Sequence, residues 1–304
     1  MKKIVVTGAT SFLGRNMTAA LLQHGYKVYA LVRKNSANLA LLPEHPELEL
    51  VYGSLDDLDV LETSVNKADM MIHFAWDGSG DAGRAAEEVQ NKNAVYSMNA
   101  LKVAEKLGCT HFFFPGSQAE YGICQDKITE ETECFPVSPY GKAKIAFARQ
   151  AEQFCADKSI RFVHMRIFSV YGYGDRNGTL VDTCIRKLNQ GQKVELGACS
   201  QLWNYLYITD FVKLVLGLME HGCEEGIYNV AGTDTRVLRE FVREIYDCSN
   251  KSGEVVFGKE IEKPEGVPVL NPDITKVIQA SGYVPDTDFS QGIREIMKQS
   301  GLDS

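Results

Sequence analysis

The chain has 304 residues, of which 44% are hydrophobic and 24% charged, which suits a folded globular protein and excludes a disordered one. Lys and Arg number 32 against 40 Asp and Glu, a formal charge of −8, and no long basic run is present; a nucleic-acid or anionic-membrane binder is therefore a poor expectation. At about 100–200 residues per domain, the length allows one large domain or two intimate ones.

Short apolar runs alternate with helical patterns over the first 170 residues. Strands are predicted at Lys3–Thr7, Lys27–Val32, Glu49–Tyr52, Asp69–Phe74, His111–Phe114 and Arg161–Ile167. Helices are predicted at Leu13–His24, Asn93–Leu107 and Gly141–Lys158, with Gly108 where a helix stop belongs. This order predicts a doubly wound parallel α/β sheet with helices on both faces. Gly172, Gly174 and Gly178 then make a loop. Helical spacing at Val181–Asn189 and a strand at Val194–Leu196 follow. Tyr205–Ile208 and the helix Asp210–His221 read as a return to the first domain, followed by a strand at Ile227–Val230. Leu238–Tyr246, Glu254–Phe257, Ile274–Ala280 and Gln291–Lys298 complete the chain as helix, strand, helix, helix. The expected domains are 1–170 with 204–230 returning to it, and a smaller α/β substrate domain from 171–203 and 231–304.

Cys109, Cys124, Cys134, Cys155, Cys184, Cys199, Cys223 and Cys248 form no C-x-x-C pair and match no zinc spacing. They read as reduced thiols of a cytoplasmic protein, and no metal site is expected. No apolar run reaches the ~18 residues of a membrane span. Gly8, Thr10 and Ser11 break the opening apolar run too early for a signal peptide.

The first strand leads into Gly8-Ala9-Thr10-Ser11-Phe12-Leu13-Gly14. A Gly-rich turn into a helix start lets backbone N–H groups approach a pyrophosphate. Ser11 stands where the middle glycine of G-x-x-G-x-x-G belongs, and its hydroxyl is a candidate phosphate donor. At the end of the second strand, Val32 takes the position where an acid would hold the ribose hydroxyls of NAD. Arg33 and Lys34 follow and suit the 2′-phosphate of NADP, the alternative being a solvated pair of cations. Ser54 and Leu55, after the third strand, are placed near the adenine.

Tyr140 and Lys144 lie four apart at a helix start and so share a face. A phenol with a pKa near 10 is a poor acid–base group by itself, and a fixed ammonium beside it favours the phenolate. Pro136-Val137-Ser138-Pro139 precedes the pair as a helix-start signal. Ser117, just beyond the strand at His111–Phe114, is placed to hydrogen-bond a substrate carbonyl while Tyr140 exchanges its proton.

These stretches, together with His73-Phe74-Ala75, Asn93, the S-x-x-x-YG run at Ser117–Gly122, Tyr140-Gly141-Lys142-Ala143-Lys144, Arg166–Gly172 and Tyr205–Asp210, resemble the extended short-chain dehydrogenases/reductases of the NAD-dependent epimerase/dehydratase family. The likeness implies a Rossmann domain binding NAD(P), a C-terminal substrate domain and a nucleotide-diphosphate sugar as substrate. It also implies Ser117, Tyr140 and Lys144 as the catalytic set, with Phe74, Ala75 and Asn93 near the cofactor, Asn93 either holding a proton-relay water or capping local backbone. Sugar dehydratases of this family carry Thr-Asp-Glu where this chain has Ser117-Gln118-Ala119, so elimination lacks its acid pair. Ser169 replaces a common substrate-facing Asn, and Trp203 replaces an arginine that contacts the substrate diphosphate. Trp76, Ser169, Arg176 and Trp203 are the candidate substrate residues beyond Ser117. Trp203 either stacks on a ring or packs in a core, and Trp76 faces the substrate channel or is structural.

The reading that results is an NADPH-dependent reductase of a nucleotide-diphosphate 4-keto-deoxysugar, with NAD(H) also possible. The alternatives are an NAD-dependent nucleotide-sugar 4-epimerase, a reductase of a non-nucleotide carbonyl, and a catalytically silent NADP-binding protein. By the same likeness a homodimer is expected, paired through Asn93–Leu107 and the Tyr140 helix.

Overall fold

A computed structural model describes residues 1–259 and 269–302. In chain order the elements are β1 (Lys3–Thr7), α1 (Phe12–Gln23), β2 (Lys27–Val32), β3 (Leu48–Tyr52), α2 (Val60–Ser64), β4 (Met70–His73), α3 (Asp81–Ala85), α4 (Glu87–Lys106), β5 (His111–Ser117), α5 (Pro139–Ala156), β6 (Arg161–Ile167) and β7 (Ser169–Tyr171). There follow α6 (Leu180–Asn189), β8 (Lys193–Leu196), β9 (Leu202–Tyr207), α7 (Ile208–Glu220), β10 (Gly226–Val230), β11 (Thr235–Val237), α8 (Leu238–Cys248), β12 (Glu254–Phe257), α9 (Thr275–Ser281) and α10 (Phe289–Gln299).

The chain divides into two compact units. The first comprises Met1–Gly122, Thr132–Ile167 and Leu218–Tyr228. It is built on a seven-stranded sheet in the order β10-β6-β5-β4-β1-β2-β3. Strands β1 to β6 pair in parallel, as the near-continuous apolar runs require of strands covered on both faces. The order reverses between β1 and β4, so the loop after β1 opens at the switch point where such sheets bind ligands. Phe112, Phe114, Phe147 and Phe162 fill the core between β5, β6 and α5, with Phe114 and Phe147 meeting edge to face at 4.6 Å. This is the expected Rossmann architecture.

The second unit comprises Ile123–Glu131, Phe168–Gly217 and Asn229–Ser304. It holds a three-stranded sheet in the order β11-β9-β7 and a parallel pair of β12 with β8. Tyr171, Tyr205, Phe241 and Phe289 form its aromatic core. The buried Asp210 accepts hydrogen bonds from the Tyr283 hydroxyl at 2.6 Å and the Thr287 N–H at 3.0 Å, fixing the segment before α10.

Three stretches fall in other units than expected, residues 168–170 among them. The return of 204–230 to the first domain narrows to 218–228. The apolar run at Tyr205–Ile208 does form a strand, but β9 spends its edges on β7 and β11, so it belongs to the small sheet. Residues 123–131, expected in the first domain, belong to the second unit. There the Ile128 N–H donates to the Asn271 carbonyl at 2.8 Å and Lys127 pairs with Asp273 at 2.6 Å.

Several helices also start earlier than the spacing predicts, α4 and α5 among them. α4 opens at Glu87, whose charge and that of Glu88 favour a helix N-terminus. α5 opens at Pro139 behind Ser138, which caps it by accepting from the Gly141 N–H at 3.2 Å. Among the described residues no helix is long and apolar enough to cross a membrane.

Candidate functional site

The turn after β1 requires glycine on steric grounds. Gly8 has φ +65°, and a Cβ there would stand 2.5 Å from the Ala75 backbone nitrogen. A Cβ on Gly14 would strike the Gly8 carbonyl oxygen. Ser11 caps α1 by accepting from the Gly14 N–H at 3.1 Å, which spends a lone pair and leaves its proton to donate. The result is a bare backbone cradle at a helix N-terminus, shaped for a phosphate. Thr10, Phe12 and Leu13 lie half-buried within it.

Phe74 and Ala75 are tied to β1: the Phe74 N–H donates to the Thr7 carbonyl at 3.1 Å, and the Ala75 N–H to the Thr7 hydroxyl at 3.3 Å. His73 bridges the Thr7 hydroxyl at 2.8 Å and the Ser97 hydroxyl at 3.0 Å inside the core. Burial, with Lys144 nearby, holds its pKa at about 3, so it is a neutral strut.

Arg33 and Lys34 are exposed at the end of β2, and neither side chain has a partner among the described residues. The following segment packs on the phosphate turn, with the Ser36 hydroxyl donating to the Thr10 hydroxyl at 3.0 Å and the Asn38 amide donating to the Thr10 carbonyl at 3.3 Å. The segment that follows the two cations thus packs on the cradle. Ser54 and Leu55, beyond β3, are half-buried, and the Ser54 hydroxyl accepts from the Asp56 N–H at 3.3 Å.

Ser117 is the last residue of β5 and Tyr140 the second of α5. A Cβ on Gly141 would strike the Ala119 carbonyl, so the helix starts hard against the turn that Ser117 begins. Ser117 caps that turn by accepting from the Ala119 N–H at 3.2 Å. Lys144, 2% exposed, donates to the Pro115 carbonyl at 2.8 Å and stands 5.6 Å from the centre of the Tyr140 ring. Burial drives its pKa well below the ordinary lysine value; Glu120 opposes this and Arg84 adds to it. The structure thus brings Ser117, Tyr140 and Lys144 to the carboxyl end of β5.

Three residues take roles that local reasoning did not assign. Glu120, wholly buried, accepts from the Ser117 N–H at 2.7 Å, His164 at 3.0 Å and the Arg166 Nε at 3.2 Å. Burial raises its carboxyl, but His164, Arg166 and the Ser117 N–H outweigh that and hold it below the usual carboxylate range. Its signal is present in the sequence as the S-x-x-E capping box of Ser117–Glu120. Arg166 also lies over the Tyr121 ring at 4.5 Å. Arg84 lies over the Tyr140 ring at 4.3 Å.

Other expected residues fall differently. Asn93 caps local backbone: its amide accepts from the Asp77 N–H at 2.9 Å and donates to the Asp77 carbonyl at 2.8 Å. Trp76 packs inward, on Lys144 at 3.6 Å and edge-on to Tyr140 at 5.9 Å. In the second unit, Ser169 pairs with Tyr205 across β7 and β9, and Trp203 is half-buried on β9, 6.4 Å from the Tyr205 ring. Arg176 is exposed on the loop after β7. That loop borders a cavity of about 300 Å³ lined in part by Tyr171, Tyr173, Asp175, Asp182 and Arg186. Among the described residues no cluster of His, Cys, Asp and Glu is arranged for a metal, and all eight cysteines are free.

Comparisons with known proteins agree with this construction. The family model described as the NAD dependent epimerase/dehydratase family matches residues 4–231. A CDP-abequose synthase of Salmonella muenchen is 21% identical over 303 residues, covering 97% of each chain. A protein of Bacillus subtilis described as an uncharacterized UDP-glucose epimerase is 27% identical over 325 residues, covering 99% of this chain and 98% of its own. Among solved structures, a UDP-glucose 4-epimerase of Thermotoga maritima with UDP-glucose superposes with a TM-score of 0.87 at 21% identity, covering 99% of this chain and 100% of that one.

Proposed function

Because the chain belongs to the NAD-dependent epimerase/dehydratase family, we propose that it is an NADPH-dependent reductase acting on the keto group of a nucleotide-diphosphate sugar. The observation that carries the choice of cofactor is the pair Arg33 and Lys34, exposed and unpartnered after β2, with Val32 where an acid would otherwise stand. A dianionic 2′-phosphate fits two free cations beside the phosphate turn better than a ribose hydroxyl does. The turn itself, closed to any Cβ at Gly8 and Gly14, fits the pyrophosphate.

In this reading the bound cofactor supplies a hydride from its nicotinamide ring. Tyr140 donates its phenolic proton to the carbonyl oxygen, and Ser117 donates a hydrogen bond to the same oxygen. Lys144 keeps one N–H on Pro115 and offers the others to the cofactor ribose and to the electrostatics of Tyr140. Glu120 holds the Ser117 backbone so that the hydroxyl stays in place. Gln118 and Ala119 lack the carboxyl groups that elimination of water needs, which weighs against a dehydratase.

The relative described as a UDP-glucose epimerase favours a second reading, a 4-epimerase that keeps NAD bound. A homodimer through α4 and α5 accompanies either reading, and Val95, 59% exposed on α4, suits such a face. Denaturing fresh protein and assaying the released nicotinamide, then titrating the stripped chain with NADPH and NADH, separates the two. Little bound cofactor and a tenfold preference for NADPH, about 1.4 kcal/mol, support the reductase; stoichiometric, tightly held NAD supports the epimerase.

A further inference from the structure

The segment between β4 and α4 is a closed arm fastened to α4. Gln90, fully buried, accepts from the Trp76 indole N–H at 2.8 Å and donates to the carbonyls of Gly78 at 3.1 Å and Gly83 at 2.8 Å. Asn93 takes both backbone groups of Asp77. A Cβ on Gly83 would strike the Gly78 backbone, so the arm folds tightly on itself. What it carries to the site is Trp76 and Arg84.

The contacts of Arg84 include a ring but no hydrogen-bond acceptor for its Nε. Its guanidinium lies over the Tyr140 ring at 4.3 Å, the same ring that has Lys144 5.6 Å from its centre. Two cations thus crowd one aromatic group, and Arg84 acts to depress the Lys144 ammonium. The Nε of Arg84 is buried without a hydrogen-bond partner, although the side chain as a whole is half-buried. A desolvated, unpaired donor beside a like charge is a cost in the ligand-free chain, and an anion would remove it.

We infer that Arg84 is a specificity residue that binds an oxyanion of the substrate beside the carbonyl that Tyr140 protonates. The planar fork of the guanidinium matches a carboxylate or a phosphate through paired N–H···O bonds. In a nucleotide sugar that oxyanion has two sources, a carboxylate on the sugar ring or the diphosphate. A ring carboxylate next to the reacting carbon would make the substrate an acidic sugar instead of the neutral deoxysugar expected from the sequence. The inference rests on the reading of Tyr140 as proton donor to a nucleotide sugar.

The test uses the full chain saturated with NADP⁺, so that no keto group can be reduced and the cofactor's own phosphate sites are filled; absorbance at 340 nm reports any oxidation of a UDP-sugar. With only Trp76 and Trp203 in the chain, the W203F variant makes Trp76 emission a local reporter. Inorganic pyrophosphate, free glucuronate, UDP-glucose and UDP-glucuronic acid are titrated in turn. Saturable binding that weakens tenfold or more in R84Q, with partial rescue in R84K, is expected; about tenfold is the smaller end for a charge-assisted pair. Loss confined to glucuronate and UDP-glucuronic acid assigns the carboxylate, and equal loss for pyrophosphate and both UDP-sugars assigns the diphosphate. Absence of binding by every probe, or binding unchanged in R84Q, overturns the inference. Binding of a simple anion through Arg84 with neither UDP-sugar bound keeps Arg84 in its role and overturns the nucleotide-sugar reading instead. If W203F does not fold, calorimetric titration of the unaltered chain and of R84Q with the same four probes reads the same outcomes.

Discussion

The Lys144 ammonium lies 3.6 Å from the centre of the Trp76 ring while it donates to the Pro115 carbonyl at 2.8 Å. One side chain is thereby locked to the end of β5, two residues before Ser117, and flanked by an indole that Gln90 holds in place. The lysine is ordered before any ligand arrives, which lowers the entropy cost of using it. The same enclosure strips water from a charge, and burial accordingly pushes its pKa well down.

That depression makes stability depend on pH in a defined direction. The unfolded chain keeps the Lys144 proton up to about 10.4, whereas the folded chain releases it earlier. Between the two values the unfolded state binds more protons, so stability rises with pH there. Lys144→Met removes the group. Urea unfolding of wild type and K144M at pH 7, 8.5 and 10 is expected to show the difference moving in favour of wild type as pH rises. Parallel pH dependences would contradict a depressed Lys144.

Glu120 gives the opposite kind of prediction. It is the counter-charge of a closed pocket containing His164 and Arg166, and it holds the Ser117 N–H. Glu120→Gln leaves the guanidinium buried without its carboxylate, a loss of about 3–5 kcal/mol by comparison with broken buried pairs. Adding Arg166→Met to E120Q is expected to restore part of that loss, because an apolar replacement removes the stranded charge. Thermal unfolding of the four chains in the cycle tests this; strictly additive losses would show that the pair is not coupled.

His73 predicts behaviour on the acid side. Its folded pKa of about 3 lies below the value of 6.5 expected when unfolded. Above pH 6.5 both states are neutral and its contribution is complete. As pH falls from 6.5 towards 3, only the unfolded state takes up the proton, so stability falls by up to about 1.4 kcal/mol per pH unit. His73→Gln keeps an amide between Thr7 and Ser97 and is expected to flatten this slope. Guanidinium unfolding at pH 4 and pH 7 measures it, and an unchanged slope in H73Q would assign the acid sensitivity elsewhere.

How much of this was legible in the sequence follows from how local each signal is. β1, β2, β6 and β12 fall on the residues expected; β1, β2 and β12 are apolar runs ended by Gly8, Arg33 and Gly258. β7 and β11 are three residues each, too short to show alternation. The run at Tyr205–Ile208 marks a buried strand, but its sheet is chosen by pairing with β7 and β11, which no local pattern encodes. The same division runs through the site. Tyr140 and Lys144 are one helical turn apart, and Ser117 with Glu120 forms a capping box, so both are written in short spacings. Arg84 reaches Tyr140 only because Gln90 and Asn93 fasten the arm that carries it. Nothing in Asp81-Ala82-Gly83-Arg84 announces that contact.

Two variants near the cradle separate binding of the cofactor as such from choice between cofactors. Gly8→Ala places a Cβ 2.5 Å from a backbone nitrogen at a φ of +65°, where neither the strand nor the turn can yield. The left-handed conformation alone costs an alanine roughly 1–2 kcal/mol, and the clash with Ala75 opens the turn that would hold the pyrophosphate. G8A is therefore expected to lose NADPH and NADH alike. Arg33→Ala with Lys34→Ala changes only exposed side chains without partners, so the fold and the turn stay as they are. Two charge-assisted contacts to a phosphate are worth enough that about a tenfold or greater loss is expected for NADPH, with NADH unchanged. Titrating both nucleotides against the three chains by fluorescence reads the pattern directly. Equal losses for NADPH and NADH in the double variant would instead make Arg33 and Lys34 general anchors, and the argument for NADPH would lose its support.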